Sequence, residues 1–288
     1  MSDAVDRYVV LGNPVEHSQS PFMQQAFAAQ LGERIEYGRL LCALDGFADA
    51  VRAFAAGGGR GCNVTMPFKF EACTLATRHS PRARLAGACN TLRFDGADWL
   101  GDNTDGIGLV VDIERNAGVP LAGRRVLMVG AGGAAAGALG PLLGAGPAEM
   151  VVANRSVGRA VELVERHRPV VDAQPAGSRT RLAAAPLDDC GSGFDLVVNA
   201  SASSLKGASL ALPEGVLRAG GLAVDMAYGP AAHGFLRWAE AQGATGRDGL
   251  GMLVEQGAEA YAMWRGRRPA TAAVLAALRE RVDTAPAR

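Results

Sequence analysis

Short apolar runs alternate with helical spacings along the first third of the chain. Residues 8–12, Tyr-Val-Val-Leu-Gly, are continuously apolar and closed by glycine, which predicts a buried strand feeding a loop. Residues 21–31 place Phe22, Ala26, Phe27 and Leu31 at helical spacing, and Pro21 suits the first helical turn, where its missing N–H costs nothing. A second strand is predicted over 37–41, a helix over 46–56 stopped by Gly57-Gly58-Gly59, and a third strand over 61–65. This β-α-β-α-β order predicts a parallel sheet.

A helix from 105 to about 116 ends at Gly118-Val119-Pro120, and a second α/β series follows with strands at 125–129, 150–153, 195–198 and 222–224. Residues 174–181 are the most loop-like interior segment. Near Gly249-Leu250-Gly251 the pattern changes, and 252–264 and 271–282 read as alanine- and leucine-rich helices. They follow the last strand of the second series, and a return to the first domain would make that domain discontinuous. At 288 residues and 49% hydrophobic, the chain is long enough for two cores, so two domains are expected.

Charge removes several classes of partner. The formal net charge is zero and the pI about 6.9, which gives no field for nucleic acid or an anionic membrane. No stretch approaches the ~18 apolar residues of a membrane span, and Met-Ser-Asp-Ala-Val-Asp-Arg lacks the pattern of a signal peptide, so a cytoplasmic protein is expected. Cys42, Cys62, Cys73, Cys89 and Cys190 show no C-x-x-C spacing, which predicts reduced structural thiols and no metal site.

Lysine occurs only at Lys69 and Lys206, while arginine supplies every other basic side chain. An ammonium gives up a proton far more readily than a guanidinium, so Lys69, closing Asn63-Val64-Thr65-Met66-Pro67-Phe68-Lys69, is a candidate for proton transfer. Its partner candidate is the polar, glycine-bounded segment Gly101-Asp102-Asn103-Thr104-Asp105-Gly106; the alternative for Asp105 is a cap of the following helix. Val126-Leu127-Met128-Val129 leads into Gly130-Ala131-Gly132-Gly133-Ala134, a G-x-G-x-x-A pattern between strand and helix that suits a dinucleotide pyrophosphate. Where an NAD enzyme places an acid for the ribose hydroxyl, this chain has Asn154-Arg155-Ser156 with Arg159 one turn on. Two guanidiniums there favour the 2′-phosphate of NADP, or else simply solvate a helix start.

Together with Gly12-Asn13-Pro14-Val15-Glu16-His17-Ser18-Gln19-Ser20-Pro21, Gly87-Ala88-Cys89-Asn90-Thr91 and Asp248-Gly249-Leu250-Gly251-Met252, these motifs resemble the shikimate dehydrogenase family, in its order and over nearly the whole chain. The resemblance implies an α/β enzyme of two domains: a parallel-sheet substrate-binding catalytic domain from 1–106 and 250–288, around a Rossmann-type NADP-binding domain at 107–249. It implies reversible NADPH-dependent reduction of 3-dehydroshikimate to shikimate in aromatic amino-acid (chorismate) biosynthesis by a monomer or homodimer.

By the same resemblance, Lys69 and Asp105 match the catalytic pair. Ser18 and Ser20 match the serines that hold the substrate carboxylate, and Thr65, Asn90, Gln256 and Tyr228 match further substrate contacts. Gly130, Ala131, Gly132, Gly133, Ala134, Asn154, Arg155, Ser156, Arg159, Ser201, Met226 and Gly249 match cofactor positions. Without the resemblance, a serine before Pro21 reads as a helix cap and Gln256 as a polar residue on a helix face. His17 reads as structural.

The chain departs from the family pattern at Asn199-Ala200-Ser201-Ala202, which keeps a hydroxyl at Ser201. It departs again after Tyr228, where Gly229-Pro230-Ala231-Ala232-His233-Gly234 lacks the family's Lys and Thr, and at Phe70. A quinate/shikimate dehydrogenase using NAD or NADP would share every catalytic residue, and a non-catalytic dinucleotide sensor would need only the glycine loop.

Overall fold

The apolar run at residues 8–11 is sandwiched between two layers. In the computed structural model of the protein, which describes residues 5–204, 210 and 212–284, it lies in β1 (Asp6–Gly12). Val9 and Leu11 enter one core with Phe47, Val51, Val64, Phe68 and Leu92, while Tyr8 and Val10 enter another with Val15 and Tyr37. Successive side chains on a strand point to opposite faces, so an unbroken apolar run is what a sheet covered on both sides requires.

After β1 come α1 (Ser20–Gln30), β2 (Ile35–Leu41), α2 (Phe47–Ala56) and β3 (Gly59–Val64), followed by α3 (Lys69–Leu75), β4 (Arg78–His79), α4 (Pro81–Ala86), β5 (Thr91–Asp95) and β6 (Asp98–Asp102). The sheet order is β2-β1-β3-β5-β6-β4. β1 runs parallel to β2 and β3, as the β-α-β-α-β order predicts, and then β5 pairs antiparallel with both β3 and β6. α4 carries its own signals. Ser80 Oγ accepts from the Ala83 N–H at 3.1 Å, Pro81 opens the first turn, and Gly87 ends the helix at φ 63°.

α5 (Asp105–Val111) runs into a π-helical turn, Asp112–Asn116, and then the second sheet begins. Its elements are β7 (Arg125–Val129), α6 (Gly133–Gly144), β8 (Glu149–Asn154), α7 (Val157–Asp172), β9 (Arg181–Pro186), β10 (Phe194–Asn199), β11 (Leu217–Asp225), α8 (His233–Ala241) and β12 (Thr245–Arg247). Every pairing is parallel, in the order β12-β11-β10-β7-β8-β9. Numbered within the sheet, that is the dinucleotide-binding order 3-2-1-4-5-6, whose direction reverses between β7 and β10. The edge strands β9 and β12 were not legible in sequence: one reads Arg-Leu-Ala-Ala-Ala-Pro, and the other has three residues. Asp112, wholly buried, takes both guanidinium bonds of Arg247 at 2.6 and 2.8 Å, so its charge is paired rather than stranded.

The chain forms two compact units. One holds the residues through Gly108 with Val254–Glu280; the other holds Leu109–Leu253 and the end of the last helix from Arg281. α9 (Leu250–Arg265) and α10 (Ala272–Asp283) complete the chain. In the first unit Trp264 stacks on Tyr8 with ring centroids 4.7 Å apart, and Tyr261 and Arg265 both bond Glu33. That stacking, the edge-on contact of Tyr261 with Phe27 of α1 and the paired Glu33 tie α9 to β1 and α1 more firmly than exposed charge pairs would.

Candidate active site

In the first unit Lys69 Nζ stands 2.5 Å from Asp105 Oδ2, and both side chains are shielded, at 16% and 7% exposure. Lys69 opens α3 and Asp105 opens α5, so the pair is set by two helix starts separated by 36 residues. The Asp105 carboxylate is held from its other oxygen by Asn90 Nδ2 at 2.8 Å. Asn90 Nδ2 also lies 2.9 Å from Thr104 Oγ1 and 3.1 Å from Gln256 Oε1, so its two N–H bonds are shared among three acceptors. Asn90 Oδ1 in turn accepts from the Thr104 N–H and the Thr91 hydroxyl.

The segment before Asp105 is braced independently. Arg82 binds both oxygens of Asp102 at 2.7 and 2.6 Å, Ser80 bonds the same carboxylate, and Asn103 Nδ2 donates to the Ala88 carbonyl. A polar run inside a core is costly unless every group is satisfied, and here the satisfaction fixes the backbone that presents Asp105.

Ser18 and Ser20 form a pair, Oγ to Oγ 3.1 Å, and Ser18 Oγ also accepts from the Ser20 N–H. Neither caps α1, whose N-cap is Gln19, without a side-chain bond. Ser20 leads to a residue that sequence reasoning missed: burial drives the Tyr37 phenol well above its ordinary pKa, opposed by a hydrogen bond with Ser20. The Tyr37 hydroxyl donates to Asn63 Oδ1 at 2.6 Å, Asn63 Nδ2 donates to Thr91 Oγ1, and Thr91 donates to Asn90. One hydrogen-bonded chain therefore joins Tyr37 to Lys69 through Asn63, Thr91, Asn90 and Asp105. A buried asparagine in an apolar strand was the available signal for Asn63, since such a group needs a partner. Thr65 is partly exposed just beyond β3, with its N–H on the Leu11 carbonyl.

Of the predicted substrate residues, Ser18, Ser20, Thr65, Lys69, Asn90, Asp105 and Gln256 lie in this unit; Tyr228 lies in the second, after β11. Lys206 lies outside the described residues.

In the second unit Gly130 leaves β7 at φ 115°, and a Cβ there would sit 2.9 Å from the Ala200 carbonyl and the Ser201 nitrogen. Only glycine lets the two strand ends at the order reversal approach so closely. α6 begins at Gly133 with no acidic side chain in its first turn and no side-chain cap, and the space a Cβ would take at Gly132 is open. That cradle, with Ala131 and Ala134, suits an anionic pyrophosphate on free backbone N–H groups. At the end of β8, Arg155 and Arg159 are exposed and neither enters an ion pair with a described residue. Asn154 Nδ2 bonds the Ser156 carbonyl there.

Beyond β10, Ser201 Oγ bonds Asn199 Oδ1 at 2.7 Å and Ser203 Oγ at 2.6 Å, and Asn199 Nδ2 reaches Asp225 and Ser204. Burial raises the Asp225 pKa while hydrogen bonds from Ser204, Ala227 and Asn199 oppose it. Met226 donates its N–H to the Asn199 carbonyl, and Gly249 donates to the Ala227 carbonyl. Met226 and Gly249 are thus brought to the same sheet end as Ser201.

Comparison with known proteins supplies the lineage. Models of the shikimate dehydrogenase substrate binding domain, of shikimate / quinate 5-dehydrogenase and of the shikimate 5'-dehydrogenase C-terminal domain match residues 10–92, 113–204 and 249–279. A Methylibium petroleiphilum protein named shikimate dehydrogenase (NADP(+)) is 61% identical over 98% of this chain and 97% of its own; one from Acidovorax sp. is 56% identical over 97% and 98%. Among solved structures, the shikimate 5-dehydrogenase of Thermus thermophilus in complex with shikimate superposes with a TM-score of 0.82 at 32% identity, covering 97% of this chain and 100% of that one. The motifs met in sequence, the polar cluster around Lys69 and the Rossmann order of the second sheet have one lineage in common, and the chain belongs to the shikimate dehydrogenase family.

Proposed function

We propose that the enzyme reduces 3-dehydroshikimate to shikimate reversibly with NADPH, within chorismate biosynthesis. It is an NADP-dependent oxidoreductase acting on a CH–OH group, as curated relatives at 50–61% identity over nearly the whole chain are. The observation that carries the finer reading is the shielded Lys69–Asp105 pair hung on Asn90.

NADPH, when bound, supplies the hydride for the ketone carbon. The Gly130–Ala134 turn would receive its pyrophosphate, Arg155 and Arg159 its 2′-phosphate, and Asn154, Ser156, Ser201, Met226 and Gly249 the surrounding contacts. Lys69 donates the proton that the ketone oxygen needs as negative charge develops there; Asp105 orients the ammonium and keeps it charged. Ser18 and Ser20 hold the carboxylate as neutral donors. Thr65, Asn90 and Gln256 fix the ring hydroxyls, with Tyr228 completing the shell. No described helix is long and apolar enough to cross a membrane. A cytoplasmic monomer or homodimer with a small-molecule substrate completes the reading.

Steady-state assays of shikimate and quinate, each with NADP and NAD, test it. Shikimate with NADP should give the highest kcat/KM; comparable turnover of quinate with NAD would transfer the assignment to a quinate/shikimate dehydrogenase.

A further inference from the structure

Two thiols and an imidazole converge beside the Lys69 helix. Cys73 lies on α3 one turn after Lys69, His79 lies on β4, and Cys89 immediately precedes Asn90. Their potential ligand atoms all lie within 4.8 Å of one another.

Three features give this cluster the character of a site. β6 passes so close that a Cβ at residue 101 would stand 2.6 Å from Cys89 Sγ and 2.8 Å from Ala76 Cβ, so Gly101 is what leaves the space. His79 Nε2 is 2.7 Å from the Cys73 carbonyl. A carbonyl only accepts, so Nε2 carries the proton and Nδ1 keeps the ring's lone pair, the arrangement that fixes a metal-ligating histidine. Cys73 and His79 are only partly buried, which admits an ion from solvent.

We propose that Cys73, His79 and Cys89 bind one thiophilic divalent cation of the zinc class, with water as the fourth ligand. Zinc takes sulfur at about 2.3 Å and nitrogen at about 2.0–2.1 Å in a tetrahedron, so ligand atoms on one ion stand under ~4 Å apart and a small side-chain adjustment closes the set. Soft thiolates and imidazole exclude calcium and magnesium, which take oxygen ligands. Binding releases the two thiol protons to solvent. The site adds a metal where the spacing of the cysteines predicted none, and it grips the catalytic segment twice, because Cys89 also donates its N–H to the Lys69 carbonyl at 2.8 Å.

The test is titration of the metal-stripped, reduced full chain with Co²⁺, followed by displacement with Zn²⁺. The expected result is thiolate-to-cobalt charge-transfer absorption saturating at one ion per chain, bleached by Zn²⁺, with a thermal midpoint that rises with Zn²⁺. Cys73→Ser and Cys89→Ala should abolish the absorption, and His79→Gln should weaken affinity at least ~10-fold. Circular dichroism without metal shows whether each variant folds, and the half-buried Cys73→Ser keeps the test decisive if Cys89→Ala does not. Absence of the absorption, its persistence in Cys73→Ser, or a Cys73–Cys89 disulfide as the sole product would overturn the proposal.

Discussion

The Tyr37 hydroxyl reaches across β1 to donate to Asn63 Oδ1 at 2.6 Å, joining β2 to β3 through the strand that separates them. That bond starts the polar chain through Thr91, Asn90 and Asp105 that ends at Lys69. Tyr37→Phe would leave the Asn63 oxygen buried without its donor, at a cost of about 1–3 kcal/mol. The expected outcome is a lower unfolding midpoint and a raised KM for shikimate with NADP affinity unchanged. Equal weakening of NADP would show general destabilisation instead.

What sequence revealed and concealed follows from the range of each interaction. Lys69 stood out by its rarity, and the Gly130 turn by its place between a strand and a helix, because both signals are local. Apart from the family resemblance, Ser20 before Pro21 reads as a cap, yet Gln19 holds the N-cap; a cap is likewise the alternative for Asp105, yet its carboxylate goes to Lys69 and Asn90. Gln256, which without the resemblance reads as a polar helix-face residue, is buried against Asn90 and Thr104, 166 and 152 residues away. β5 and β6 escaped because charged Arg93, Asp95 and Asp98 break up the apolar pattern, β4 because it has only the two residues Arg78 and His79, and the pairing of all three depends on neighbours that periodicity does not see.

Arg155 and Arg159 are exposed and enter no ion pair with a described residue, where a carboxylate would select NAD. Arg155→Asp should weaken NADP by on the order of 2 kcal/mol, about thirtyfold in Kd, through loss of a charge-assisted pair and added repulsion. NAD affinity should change little. Cofactor titrations of both proteins check this, and equal losses for the two cofactors would remove the arginine from 2′-phosphate recognition.

His167 sits wholly buried in α7, with Nδ1 on the Leu163 carbonyl at 2.9 Å and Nε2 without a partner among the described residues. Burial lowers its pKa below the ordinary 6.5, Arg166 adds to the lowering, and the Leu163 bond opposes it. The unfolded chain therefore binds the proton first as pH falls, so stability from this group is full above 6.5 and declines below it, down to the folded-state pKa. Thermal melts from roughly pH 7.5 to 5.5 should show a steeper loss for the wild type than for His167→Leu. Parallel slopes would exclude His167 as the source.

Lys69 gives the sharpest test of chemistry, because its ammonium is both shielded and already bonded to Asp105. Lys69→Ala should lower kcat by about 10²- to 10⁴-fold, the range of general acid catalysis, while NADP affinity stays near the wild-type value, since the residues proposed to hold the cofactor lie in the other unit. Lys69→Arg separates charge from proton transfer. A guanidinium preserves the cation facing Asp105 but does not release a proton near neutral pH, so kcat should remain well below wild type. Full recovery in Lys69→Arg would make the role of Lys69 purely electrostatic and pass proton donation to Asp105 or to water.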